Sequence, residues 1–120
     1  MNAAELRIGN WVYRQSGKMV KEEVYNTTYK IQTINNQTGY KFQPIELTEE
    51  ILLKCGFLKV RSDYEEAETF DFYYGVLYFD MANQSTKINN KYVLGFVPDY
   101  LHQLQNLYFA LTGEELQVNL

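Results

Sequence analysis

The sequence predicts an α+β fold: a strand-rich N-terminal half, a short central helix, further antiparallel strands, and a C-terminal helix packed on the sheet. Three observations predict it. Leu6, Ile8, Asn10 and Val12 alternate with Arg7, Gly9, Trp11 and Tyr13, the period of two that marks a half-buried strand. Thr48-Glu49-Glu50 ahead of Ile51-Leu52-Leu53 is a helix start, and Gly56 stands where such a helix stops. Near the end, Leu101, Leu104, Leu107, Tyr108 and Leu111 fall within one arc when each residue advances ~100°.

A chain of 120 residues fits a single domain, 1–120. Within it, 1–47 reads as a strand-rich subdomain and 48–120 as an α+β part. After the first strand, Gln15-Ser16-Gly17-Lys18 is a turn and a second strand runs from Met19 to Tyr25. Asn26-Thr27-Thr28 turns the chain into a third strand, Tyr29 to Ile34. Asn35 to Gly39 turns it again into a short fourth, Tyr40 to Phe42, which Pro44 ends by removing a ladder donor. Short strands with tight turns suggest a small curled sheet or an SH3-like half-barrel.

Thr48 is the N-cap of the central helix, and Glu49 and Glu50 put negative charge where the helix dipole favours it. Ile51, Leu52 and Leu53 are its expected buried face. Strand returns from Phe57 to Arg61, followed by an acidic loop, Asp63 to Glu68. That loop lacks the spacing and central glycine of a calcium loop. Thr69 to Tyr74 and Val76 to Met81 form either a hairpin or one strand bent at Gly75. A polar loop, Ala82 to Lys91, leads to the last strand, Tyr92 to Val97. Pro98-Asp99 opens the closing helix, Tyr100 to Thr112, and Gly113 ends it. The tail after Glu114 is expected to fray, although Leu116, Val118 and Leu120 alternate as an edge strand would.

The net charge is −4 and the basic residues form no dense run, so the counterion-displacing footprint of a non-specific nucleic-acid binder is not visible. Cys55 is the only cysteine, which rules out an internal disulfide and suits a reducing compartment. It is expected in the core as an unreactive thiol. The first ten residues lack the pattern of a signal peptide and no stretch approaches ~20 apolar residues, so a cytoplasmic location without a membrane span is expected. The 11 Tyr and 7 Phe either fill a β-rich core or include a recognition surface.

His102 is the only histidine and is expected at the surface or in a cap. No serine lies in a nucleophile elbow, one histidine and one cysteine cannot build a zinc site without carboxylates, and the glycines form no phosphate cradle. No catalytic residue, metal ligand or cofactor is assigned. Asp71 and Asp80 are the candidates for a catalytic carboxylate pair. On the closing helix the side opposite the leucines gathers His102, Gln105, Asn106 and Phe109. Phe109 there implies either that the helix is packed on two sides or that a polar-aromatic patch is offered to a partner.

Three segments carry a resemblance: Glu5-Leu6-Arg7-Ile8-Gly9-Asn10-Trp11-Val12, Pro44 to Phe57, and Leu101-His102-Gln103-Leu104-Gln105-Asn106-Leu107-Tyr108-Phe109-Ala110-Leu111-Thr112-Gly113. Together they resemble a family of small proteins of Bacteroides-like gut bacteria and of their phages and prophages. Glu46 stands where that family usually has a second proline, and Cys55 where it often has an aromatic. The resemblance implies a bacterial cytoplasmic setting tied to mobile elements and brings no activity with it. The expected function is therefore a non-enzymatic accessory or protein-binding module that contacts its partner through His102, Asn106 and Phe109. The alternatives are a nucleic-acid-binding small β-barrel-like protein and a small hydrolase-type enzyme.

Overall fold

Alternating burial organises both halves of the chain. The computed structural model describes residues 6–7, 9–15, 19–23, 41–61 and 69–120. The expected turns at 16–18, 26–28 and 35–39, the third strand at 29–34 and the acidic loop at 63–68 lie outside the described residues. The chain divides into two compact units, one of residues 1–47 with 99–116, the other of 48–98 with 117–120.

In the first unit the described strands are β1 (Trp11–Gln15), β2 (Met19–Glu23) and β3 (Lys41–Pro44), in the antiparallel order β2-β1-β3. Pro44 pairs with Val12 as the last residue of β3, where a strand can end without a further donor. β1 begins later than the alternation predicts. The Asn10 amide donates to the Arg7 carbonyl (3.1 Å) and Gly9 has φ +97°, so a turn precedes the strand. The alternation still holds in burial: Leu6, Asn10 and Val12 are buried, and Arg7, Gly9, Trp11 and Tyr13 are half-buried. Residues 45–47 then run beside 99–101, through Leu47 N–H to Asp99 C=O (2.8 Å) and Leu101 N–H to Ile45 C=O (2.9 Å).

The second unit opens with helix α1 (Glu49–Lys54). Thr48 Oγ1 accepts from the Ile51 amide at 3.2 Å, which is the expected cap. At the other end Gly56 N–H donates to Leu53 C=O and Phe57 N–H to Leu52 C=O, a Schellman pair whose apolar partners Phe57 and Leu52 are both buried. Gly56 has φ +92°, and a Cβ there would lie 3.2 Å from the Tyr74 ring. Leu53 is exposed, against expectation. Three consecutive helical residues span ~200°, so they cannot share one buried face.

Five antiparallel strands follow in chain order: β4 (Leu58–Arg61), β5 (Phe70–Tyr74), β6 (Leu77–Asp80), β7 (Ser85–Ile88) and β8 (Tyr92–Leu94). β5 and β6 form a hairpin with Tyr74 opposite Leu77, so Gly75 turns the chain and does not merely bend it. β7 lies inside the stretch expected to be a polar loop. Asn89 and Asn90 both have positive φ (55° and 57°) and Lys91 N–H closes onto Ile88 C=O at 3.0 Å. That is the mirror-image turn that joins hairpin strands, built here from two asparagines. The core row of the sheet runs Lys59, Phe72, Phe79, Thr86, Leu94 across the strands. Its three middle members are buried together with Leu77, Phe57, Ile51, Leu52 and Cys55. The Phe57 and Phe79 rings stack at 5.2 Å.

Helix α2 (Leu101–Thr112) closes the first unit and packs on β1. Gln103 Oε1 accepts from the Asp99 and Tyr100 amides, each at 3.2 Å, and Gly113 ends the helix at φ +74°. Its buried residues are Leu101, His102, Leu104 and Gln105, and Leu111 is exposed. The buried arc is thus turned from the predicted leucine arc toward the polar side, and burial fades in the last turn. The tail is held rather than frayed: Leu116 is buried in the first unit, and Asn119 N–H donates to Lys54 C=O (3.3 Å) in the second. No helix among the described residues is long and apolar enough to cross a membrane.

Candidate functional site

The three side chains expected to form a contact surface on α2 have separate fates. His102 is 1% exposed, which corrects its expected place at the surface, and its ring stacks against Tyr100 at 6.0 Å. Its burial follows from the wide buried arc, which takes in His102 and Gln105 beside Leu101 and Leu104. Asn106 is half-buried, and its Oδ1 accepts from Arg7 Nε and from Asn10 Nδ2, each at 2.9 Å. Phe109 is 39% exposed, with the Arg7 guanidinium 4.2 Å over its ring.

These contacts form a clasp between the segment before β1 and one face of α2. Arg7 also donates through Nη1 to Glu115 Oε1 (2.7 Å) and through Nη2 to the Gln105 carbonyl (3.3 Å). The buried Gln105 amide bridges the backbone: its Oε1 accepts from Trp11 N–H and its Nε2 donates to Gly9 C=O, both at 2.9 Å. Asn10 Oδ1 accepts from the Arg7 amide at 2.7 Å. A planar guanidinium suits this position because one group stacks on a ring while its edge donors reach three acceptors. The residues that stood out in the sequence at both ends of the chain thus meet and hold each other. The exposed residues of α2 are Phe109, Ala110 and Leu111, in its last turn.

The carboxylates weighed for catalysis are fully engaged in the second unit. Asp71 accepts from the Tyr78 hydroxyl (2.7 Å) and the Met81 amide (3.1 Å). Asp80 accepts from the Asn83 amide (3.2 Å) and from its side-chain nitrogen (2.9 Å). Both are buried, and the β5–β6 register extended by one step sets them opposite each other. Their bonds tie down the turn after β6. Cys55 is buried at the end of α1, and burial pushes its thiol up to about 11. A thiol held neutral in this way is a poor nucleophile. Among the described residues, no group of three or more His, Cys, Asp or Glu is placed to hold a metal ion.

The outer face of the five-stranded sheet is a second candidate site, one that the sequence pattern alone does not single out. Leu58 lies opposite Tyr73, Tyr73 opposite Tyr78, Tyr78 opposite Lys87, and Lys87 opposite Val93, a single row crossing all five strands. Leu58 is 56% exposed and Val93 64%, and Tyr73 is also exposed. The Tyr73 and Tyr78 rings stack at 6.5 Å, and Lys87 Nζ stands 5.4 Å from the Tyr78 ring centroid. Its signal was present in Phe70-Asp71-Phe72-Tyr73-Tyr74 and Tyr92-Val93-Leu94-Gly95-Phe96-Val97, where apolar residues occupy both parities. A strand with one watered face alternates, and continuous apolar runs belong to strands covered on both sides. Compared with models of protein families, with curated proteins and with solved structures, the chain matches none, so its own geometry carries the functional reading.

Proposed function

We propose that the protein is a non-enzymatic accessory or protein-binding module whose contact surface is the outer face of the β4–β8 sheet. One observation carries this reading: the Leu58–Tyr73–Tyr78–Lys87–Val93 row, in which Leu58, Tyr73 and Val93 are exposed, Tyr78 and Lys87 are half-buried, and four of the five members are apolar or aromatic. Protein interfaces concentrate tyrosine and apolar side chains at their centre and keep charge sparse there. The hydrogen bonds of Asp71 and Asp80 and the burial of the Cys55 thiol support a binding role over a catalytic one, because each side chain is held within the fold. The bacterial, mobile-element setting implied by the three sequence segments is where the partner is sought.

A photo-crosslinking amino acid placed at position 73, with the same group at position 109 as comparison, tests this in the cells that make the protein. The expected result is a discrete protein adduct from position 73, lost when Leu58→Glu is added, and none from 109. An adduct from 109 alone would return the contact surface to α2 and overturn the proposal.

A further inference from the structure

The row ends at β8, an edge strand that is exposed on both of its faces. Val93 points to the outer face and Tyr92 to the other, and both are exposed, as is Phe96 just beyond. Among the described residues no strand pairs with the far side of β8. Exposed sheet edges are ordinarily blunted by charge, proline or a cover, because their free N–H and C=O groups template another strand. Here the edge instead carries an apolar run, Tyr92-Val93-Leu94-Gly95-Phe96-Val97.

Charge says what kind of strand fits. The 15 carboxylates of the chain avoid this hairpin altogether: between Asp80 and Asp99 the only charged residues are Lys87 and Lys91. An otherwise acidic protein thus presents a locally basic, apolar edge. A second copy of β8 laid against the first would bring two such basic hairpins together, which repulsion disfavours. A nucleic acid would meet only two lysines on a chain of net charge −4.

We infer that β8 accepts an extended segment of a partner protein, apolar along its length and flanked by carboxylates, as a sixth strand of the sheet. This rests on the binding-module reading and names the partner's chemistry. Main-chain hydrogen bonds to β8 supply the docking, alternate side chains pack over Val93 on one face and Tyr92 on the other, and the flanking acids pair with Lys87 and Lys91.

The test uses the whole protein and two synthetic probes. One is a peptide of alternating valine and threonine closed at each end by two glutamates, and its twin carries lysines instead. The glutamate peptide is expected to bind at least about tenfold more tightly than the lysine peptide, less so as salt rises, and to slow amide exchange across Tyr92–Leu94. Lys87→Glu combined with Lys91→Glu reverses the preference. Equal binding of the two peptides, or no protection of β8, overturns strand addition. If β8 stays unprotected but the crosslink at position 73 forms, the open-face reading stands and only this inference falls. A dimer in sedimentation whose interface protects β8, or a single-stranded oligonucleotide that does so, also overturns it.

Discussion

The guanidinium of Arg7 lies 4.2 Å over the ring of Phe109, joining residues about a hundred positions apart in the chain. The same group holds Asn106, Glu115 and the Gln105 carbonyl, adding to the ties that Asn10 and Gln105 make between α2 and the segment around Gly9. The exposure of both partners limits what the stack contributes. Cation–π pairs at partly exposed sites are worth about 0.5–1 kcal/mol, and the exposed ion pair to Glu115 adds little. A double-mutant cycle of Arg7→Lys with Phe109→Leu, followed by urea unfolding, is expected to return a coupling of that size. A coupling near zero would mean that the stack is incidental.

Gln105 is the costlier residue to lose. Gln105→Leu keeps the volume but strands the Trp11 N–H and the Gly9 C=O, each of which it now satisfies. An unmet buried backbone group costs about 1–3 kcal/mol, and because Gly9 and Trp11 are half-buried the two together are expected to cost the variant about 2–4 kcal/mol in the same unfolding measurement. That loss exceeds the Arg7–Phe109 coupling.

Gly56→Ala is expected to destabilise by about 1–2 kcal/mol. The residue sits at φ +92°, where an L side chain is strained, and its new Cβ would press on the Tyr74 ring. Thermal unfolding of the variant measures this, and Gly95→Ala is the comparison, since nothing lies within 4 Å of a Cβ there.

Cys55 gives a pH dependence with a definite sign. In the unfolded chain the thiol releases its proton near 9.0, whereas in the fold it holds it until about 11. The unfolded state therefore binds fewer protons in that window. The stabilisation is whole below 9 and is lost as pH climbs from 9 toward 11, by at most about 1.4 kcal/mol per pH unit. The measurement is the difference between the native protein and Cys55→Ala across this range, which isolates the thiol from the rest of the chain. The thiol is also expected to react with a disulfide reagent at neutral pH far more slowly in the folded protein than in urea.

The elements that were legible in the sequence are those whose signals are local. Thr48 caps α1 and Gly56 stops it because a cap and a left-handed stop are decided within one turn of chain. The face of α2 was misjudged because two of its buried side chains are polar. His102 and Gln105 look like surface residues until their partners are known, and those of Gln105 lie 94 and 96 positions away. β7 reads as loop in the sequence because Ser85-Thr86-Lys87-Ile88 is largely polar and Asn89-Asn90 is a turn pair without glycine. In the fold Thr86 is buried, and its hydroxyl donates to the Phe96 carbonyl at 2.7 Å. The outer row of the sheet was hidden for a related reason, since it exists only once five strands are in register.

The interleaving of the chain has a consequence for its synthesis. Residues 99–116 complete the unit begun by residues 1–47, and residues 48–98 are inserted between them. At ribosomal rates of roughly 5–20 residues per second, the nascent chain waits roughly 3–10 s between the end of β3 and the arrival of α2. By the end of that interval the inserted unit has all five of its described strands, whereas the earlier unit still lacks its helix. Asn10 and the Trp11 amide, by contrast, face water until Asn106 and Gln105 emerge. The segment before β1 is therefore among the last parts of its unit to be secured, and a chain halted before Asp99 would hold β1 without its helix.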